Sequence, residues 1–136
     1  MKRVVITGIG AITPVGNDAP STWESICAGR HGFSKIDRFD TEDMGVSVAA
    51  LLKDFDPTPI VDKKEQRRTD PYCQLALCAA AEALKDCGSD LKDLDPYRVG
   101  VIVGSGIGGM QTLEEEHQKF LEKGAKRVSV FFIPMM

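Results

Sequence analysis

The residues of this sequence whose types bear on chemistry are four cysteines, two histidines, two glycine-rich turns and a basic cluster. Cys27, Cys73, Cys78 and Cys87 show no C-x-x-C spacing, and neither His31 nor His117 stands at metal-ligand spacing from them. Idle or buried thiols in a reducing compartment are expected, and no metal. A nucleophilic thiol needs a depressed pKa and a base. Cys73 falls in the first turn of a predicted helix, close in sequence to Arg67 and Arg68, but no histidine is near it in sequence. Cys78 lies among alanines, and Cys87 lies at a helix C-terminus, where the dipole disfavours a thiolate. His117 falls on an apolar helix face and reads as a core histidine. No catalytic set emerges from these residues.

The second feature is the passage from Val99-Gly100-Val101-Ile102-Val103 into Gly104-Ser105-Gly106-Ile107-Gly108-Gly109. A turn with so few Cβ atoms lets another group approach the backbone closely, whether a phosphate, an acyl chain or another protein segment. Gly104-x-Gly106-x-x-Gly109 has the spacing of a dinucleotide fingerprint. That fingerprint also requires an acid at the end of the next strand to hold the ribose. Here the following apolar stretch carries Val130, Phe131 and Phe132, with no Asp or Glu after Glu122. Gly8-x-Gly10 lacks the third glycine, and no Gly-Lys-Ser/Thr follows either turn, so neither nicotinamide binding nor a P-loop is supported.

The third is Lys63-Lys64-Glu65-Gln66-Arg67-Arg68, with Lys126-Arg127 as a smaller echo, in a chain of net charge −3. Such runs are ordinarily solvated faces. The alternative is a dock for an acidic partner, with the arginines making charge-assisted bonds.

These residues must be positioned by a small number of elements. Residues 4–7 form a β-branched run closed by Gly8 and read as a buried strand. Ser21-Thr22-Trp23-Glu24 fits a capping box opening a helix that Gly29 can end. Residues 30–62 have poor periodicity and read as a long loop broken by Pro57 and Pro59, with a strand at 46–52. Asp70-Pro71 is a strong helix start. Tyr72, Leu75, Ala76, Ala79, Ala80, Ala83, Leu84 and Cys87 then form one apolar stripe up to Gly88, with Gln74, Glu82, Lys85 and Asp86 off it. The alanines imply close packing. Residues 99–103 read as a second strand covered on both faces. A helix from 110 to 123 follows, with Met110, Leu113, His117, Phe120 and Leu121 on one face and Gly124 as its stop. A third strand is expected to begin near Arg127 and to carry Val128, Val130, Phe131, Phe132 and Ile133.

With 136 residues, 43% of them hydrophobic and 27% charged, the chain has the composition of one globular domain. Its negative net charge argues against nucleic acid as a partner. No apolar run is long enough for a bilayer or a signal peptide. A cytoplasmic protein without a membrane partner is therefore expected.

Taken in order, the motifs resemble a known family. The opening Arg3-Val4-Val5-Ile6-Thr7-Gly8-Ile9-Gly10-Ala11-Ile12-Thr13-Pro14-Val15-Gly16-Asn17 is similar to that of β-ketoacyl-acyl-carrier-protein synthases, the condensing enzymes of fatty acid synthesis. Lys64-Glu65-Gln66-Arg67-Arg68, the 104–109 turn and Phe131-Phe132-Ile133-Pro134 follow in the order found in the synthase II branch. The resemblance covers essentially the whole chain but only the N-terminal portion of such an enzyme. It implies an α/β fold class: the N-terminal part of a thiolase-like αβαβα layered fold, truncated before the catalytic cysteine, with residues 1–136 as an incomplete half. It implies a homodimer and a decarboxylative Claisen condensation, in which an acyl group carried on a cysteine is attacked by the carbanion of malonyl-acyl carrier protein. No cofactor is implied.

The family's cysteine and two histidines match nothing in residues 1–136, so no catalytic residue is assigned and the isolated chain is expected to be inactive. Lys64, Arg67 and Arg68 match positions that meet the acyl carrier protein, and Lys126 and Arg127 match a second basic patch serving the carrier at the partner subunit. Ile107, flanked by Gly106 and Gly108, matches an acyl-pocket residue, and Phe132 matches one reaching the partner's pocket. Val130 stands where the family often has proline. Two other readings are a non-catalytic interaction subunit pairing with a catalytic condensing enzyme, and a small nicotinamide-binding domain. A half-built layer would leave sheet edges and apolar surface open, so the isolated chain is expected to associate or aggregate.

Overall fold

The computed structural model describes residues 3–88, 91–92 and 94–136; Met1 and Lys2 of the basic opening lie outside the described residues. Five α-helices are present among them: α1 (Ala19–Cys27), α2 (Lys63–Gln66), α3 (Pro71–Asp86), α4 (Met110–Lys123) and α5 (Phe132–Met135). Strands β1 (Phe33–Lys35) and β2 (Val48–Ala50) pair antiparallel. Single 3₁₀ turns stand at Pro96–Arg98 and Ala125–Arg127. The chain divides into two units, residues 1–56 with 79–89, and residues 57–78 with 90–136. The first half of α3 belongs to the second unit and its second half to the first.

In the first unit, the expected close packing of the alanine stripe takes a specific form. A Cβ added at Gly8 would stand 2.1 Å from the Ala83 carbonyl oxygen, and one at Gly10 would stand 2.0 Å from that of Ala79. Glycine at both positions lets the extended 8–10 backbone lie directly on the helix. The carboxylates of the same half of α3 then take up loose amides. Asp86 accepts from the Ile9 amide at 2.9 Å, and Glu82 accepts from those of Ala11 and Ala19, each at 2.8 Å. Ala19 is the first residue of α1, so Glu82 satisfies one of the amides that every helix start leaves open. Asp18 caps α1 as well, accepting from the Ser21 amide at 2.6 Å, and the Ser21 hydroxyl first, with that amide second, holds the Asp18 carboxyl below the usual carboxylate range.

The long 30–62 segment contains the β1–β2 pair, with Phe33 opposite Ala50 and Lys35 opposite Val48. The expected strand at 46–52 is thus present in its centre. In the second unit, Val61 is the fully buried hydrophobic side chain among the described residues. Gln66 donates to its carbonyl at 2.7 Å, and Asp62 caps α2 through the Lys64 and Glu65 amides. No described helix is long and apolar enough to cross a membrane.

Several sequence expectations are corrected. Helix α1 is capped by Asp18, not Ser21, because Pro20 fits the second helical position and moves the start upstream. Residues 4–7 and 99–103 are not strands: Val4 is 93% and Ile102 98% exposed, and a strand is defined by a neighbour's ladder, which the described residues do not supply. The third expected strand is replaced by a turn and α5. Ser129 accepts from the Phe131 amide through its hydroxyl, 3.1 Å, and from the Phe132 amide through its carbonyl, 3.1 Å. Such local serine bonds compete with a ladder, and Pro134 falls within the first turn of α5, where its missing N–H costs nothing. The apolar face of α4 is also not its covered face. Thr112 and Glu116 are buried, whereas His117 and Leu121 are exposed. Of the thiols, Cys27 is exposed and the other three are half-buried.

The Gly10 contact predicts a sharp asymmetry. Gly10→Ala should destabilise the protein by about 1–3 kcal/mol in denaturant unfolding, as overpacking does. Gly45→Ala, where an added Cβ meets nothing within 4 Å, should change stability by less than about 0.5 kcal/mol.

Candidate functional site

The basic cluster, the glycine turn and the Phe131-Phe132 segment all fall in the second unit, and a single residue, Asp70, links the segments that carry them. Asp70 is 4% exposed. Its Oδ1 accepts from the Tyr72 amide at 3.2 Å, capping α3. Its Oδ2 accepts from the Thr112 amide at 2.8 Å. Thr112 is the third residue of α4, whose own N-cap, Gly109, has no side chain to offer. The Asp70 amide in turn donates to the Met135 carbonyl at 3.0 Å. One residue thus caps two helices and ties the Phe131–Met136 segment beside them.

Two further contacts close this arrangement. The Tyr72 hydroxyl donates to the Met136 carbonyl, and the adjacent Cys73 thiol, followed by burial, pushes the Tyr72 phenol above its usual range, so it stays a donor. A Cβ on Gly109 would stand 2.7 Å from Met136 Cα. The end of the glycine turn is therefore pressed against Met136, and glycine at 109 is required by close approach. Gly108 has φ +79°, a left-handed conformation that favours glycine, and its amide is held by the Ser105 hydroxyl at 2.9 Å.

Of the predicted carrier-docking residues, Lys64 lies on α2, Arg67 is its C-cap, and Arg68 follows directly; all three are exposed. The Arg68 guanidinium lies over the Phe131 ring, 4.9 Å from its centroid. The predicted second patch, Lys126 and Arg127, is also exposed, on the 3₁₀ turn after α4. There the structure adds residues the sequence did not single out: Lys119 and Lys123 line one cavity with Arg127. Of the predicted pocket residues, Phe132 is half-buried at the start of α5, Gly106 is exposed, Gly108 is half-buried, and Ile107 is 75% exposed. The described residues therefore do not enclose Ile107.

Glu116 anchors the second patch from beneath. It is 3% exposed, accepts from the Ser129 amide at 2.6 Å, and forms an ion pair with Lys119. Lys119 first, and the Ser129 amide second, hold its carboxyl below the usual glutamate range, and Glu116 raises Lys119 in return. Because the folded pKa is depressed, this stabilisation is present above the ordinary glutamate value and is lost as pH falls through the depressed one. In acid titration Glu116→Gln should therefore lose less stability than wild type as pH drops below the ordinary glutamate range. At neutral pH, Asp70→Ala should cost about 2–4 kcal/mol, the sum of two lost caps at a site sealed from water, read by denaturant unfolding.

Comparison with known proteins gives the family and the fold class. The family described as "Beta-ketoacyl synthase, N-terminal domain" matches residues 1–136. The chain is 50% identical over 135 residues to the 3-oxoacyl-[acyl-carrier-protein] synthase 2 of Staphylococcus aureus (strain N315), covering 99% of this chain and 33% of that protein. It is 43% identical to the synthase of the same name from Synechocystis sp., over 99% of this chain and 32% of the relative. The chain spans about a third of the length of the curated relatives it matches. Among solved structures, the ishigamide ketosynthase/chain length factor superposes with a TM-score of 0.83 at 28% identity, over 96% of this chain and 33% of that one. A ketosynthase in complex with its type II PKS acyl-carrier protein superposes with a TM-score of 0.74 at 30% identity, over 96% of this chain and 35% of that one. The fold class is accordingly the thiolase-like α/β class expected from the motifs, represented here by part of its N-terminal half. With every residue from 1 to 136 inside the family's N-terminal domain, the chain belongs to the β-ketoacyl synthase family.

Proposed function

We propose that this chain is the N-terminal segment of a 3-oxoacyl-[acyl-carrier-protein] synthase of type II, and that it supplies a carrier-protein dock and part of an acyl pocket. The enzyme it serves elongates fatty acyl chains. An acyl group is held as a thioester on a cysteine outside residues 1–136, and malonyl-acyl carrier protein loses carbon dioxide to leave a carbanion. The carbanion attacks the thioester carbonyl; a carbon–carbon bond forms and the cysteine thiolate departs. None of Cys27, Cys73, Cys78 and Cys87 has a role in that step. The enzyme works as a homodimer in the cytoplasm, as the family resemblance implies.

The observation that carries this reading is the exposed cluster of Lys64, Arg67 and Arg68 beside buried Asp70, which also holds the start of α4 after the glycine turn and the segment that carries Phe132. Cations on a short helix and its C-terminal cap suit an acidic carrier, steering encounter and fixing register. Lys126 and Arg127 supply the second patch, for the carrier engaged at the partner subunit. The glycine turn gives a substrate tail room to approach Ile107, and Phe132 reaches toward the partner's pocket. The likeness to synthases named for acyl carrier protein, and to a ketosynthase solved with its carrier, supports the same partner.

In the full-length enzyme, Lys64→Glu with Arg67→Glu should weaken binding of acyl carrier protein by about tenfold or more at low salt, and by less at high salt, where exposed charges are screened. Titration of carrier protein at two ionic strengths reads this out. Unchanged affinity at low salt would remove the dock from residues 64–68.

A further inference from the structure

We infer that Arg68 is a positioning residue that couples the carrier dock to the acyl-pocket wall, through its seat on the Phe131 ring. The inference deepens the reading above and rests on it.

The observation is geometric. Among the described residues, the exposed Arg68 at the end of the 63–68 cluster lies over an aromatic ring, Phe131, at 4.9 Å. Phe131 is 44% exposed and precedes Phe132 directly, at the start of α5. The two segments are fastened at two further points, the Asp70 amide to the Met135 carbonyl at 3.0 Å and the Tyr72 hydroxyl to the Met136 carbonyl. Residues 68, 70 and 72 thus meet residues 131, 135 and 136 in order. A displacement of the Arg68 guanidinium acts on a segment already pinned at its far end.

The chemistry is suited to coupling. A guanidinium can stack on an aromatic face while its edge N–H groups remain free for a carboxylate, which a lysine ammonium cannot match. The ring therefore holds the arginine fork ready for an acidic carrier. A carrier carboxylate that engages the fork in turn fixes the ring, and with it the adjacent Phe132. Coupling of this kind is reciprocal: what the ring does for carrier affinity, the carrier does for the ring.

The experiment is a double-mutant cycle in the full-length enzyme, with carrier-protein affinity as the first readout. Phe131→Leu should weaken carrier binding about threefold, the scale of an exposed cation–π contact. In an Arg68→Gln background, which carries no cation to place over the ring, the same change should have no further effect. Phe131→Tyr keeps the ring and should keep wild-type affinity. The second readout uses acyl-pantetheine thioesters, which lack the carrier altogether. Arg68→Lys should alter the ratio of long-chain to short-chain kcat/KM about two- to threefold, which a residue that only touched the carrier would not do.

Equal effects of Phe131→Leu in both backgrounds, or no effect of Arg68→Lys on the carrier-free chain-length ratio, would overturn the coupling. If Phe131→Leu fails to fold, the carrier-free ratio for Arg68→Lys decides alone. Arg67→Glu separates the two levels. If it weakens carrier binding while the cycle shows no coupling, the dock stands and the inference falls; if it leaves carrier binding unchanged, both fall.

Discussion

A helix start leaves amides without partners, and in the second unit two such starts share one acceptor. Asp70 precedes Pro71 and so cannot avoid capping α3; its second oxygen reaches the Thr112 amide because α4 begins on glycine and carries no cap of its own. A glycine run that must stay free of side chains cannot also cap the helix it feeds. The acceptor then has to come from elsewhere in the chain, and it comes from a residue whose own amide holds Met135. The starts of α3 and α4 depend on the carboxyl of one buried residue and the α5 segment on its amide, and the functional reading inherits that dependence.

The same solution recurs with other residues. Glu82 and Asp86 hold the amides of Ala11, Ala19 and Ile9, and Glu116 holds that of Ser129. Asp70, Glu82, Asp86 and Glu116 serve the chain's own backbone, while the cations of the 63–68 cluster stay exposed. The division has a physical basis. A carboxylate accepts from amides and can satisfy a folded backbone, whereas a lysine or arginine offers only donors, which backbone amides cannot use. Net charge alone conceals the local pattern: a chain of −3 still presents an exposed basic cluster at residues 63–68.

The elements legible in the sequence were those specified by local rules. Helix α3 and its Asp70-Pro71 start, helix α4 and its Gly124 stop, and the centre of the β2 strand follow from periodicity, capping and punctuation. The strands at 4–7, 99–103 and 128–133 did not, because their apolar runs say only that neighbours are needed, and a ladder is a property of two segments. At Ser129 a local hydroxyl bond won over that pattern. The site was legible in part. The cations and glycines could be named from their motifs, but Arg68 on Phe131 spans 63 positions, and the second role of Asp70 spans 42. Glu82 and Asp86 were placed off the apolar stripe of α3, a correct reading of the helix that gave no sign of the amides awaiting them. On α4, the buried Thr112 and Glu116 stand at i and i+4 but are not among the apolar residues that periodicity selects.

The long reach of the α3 carboxylates also governs the order in which the chain can fold during synthesis. Glu82 takes partners 63 and 71 residues earlier in the chain, and the first unit includes residues 79–89. The amides of Ile9, Ala11 and Ala19 must wait outside the ribosome for the second half of α3 before these partners reach them. Loop closures of that length come late and slow folding. Through that interval the Thr13 hydroxyl can hold the 13–16 turn, but the path of residues 8–11 is set by a helix made long after them.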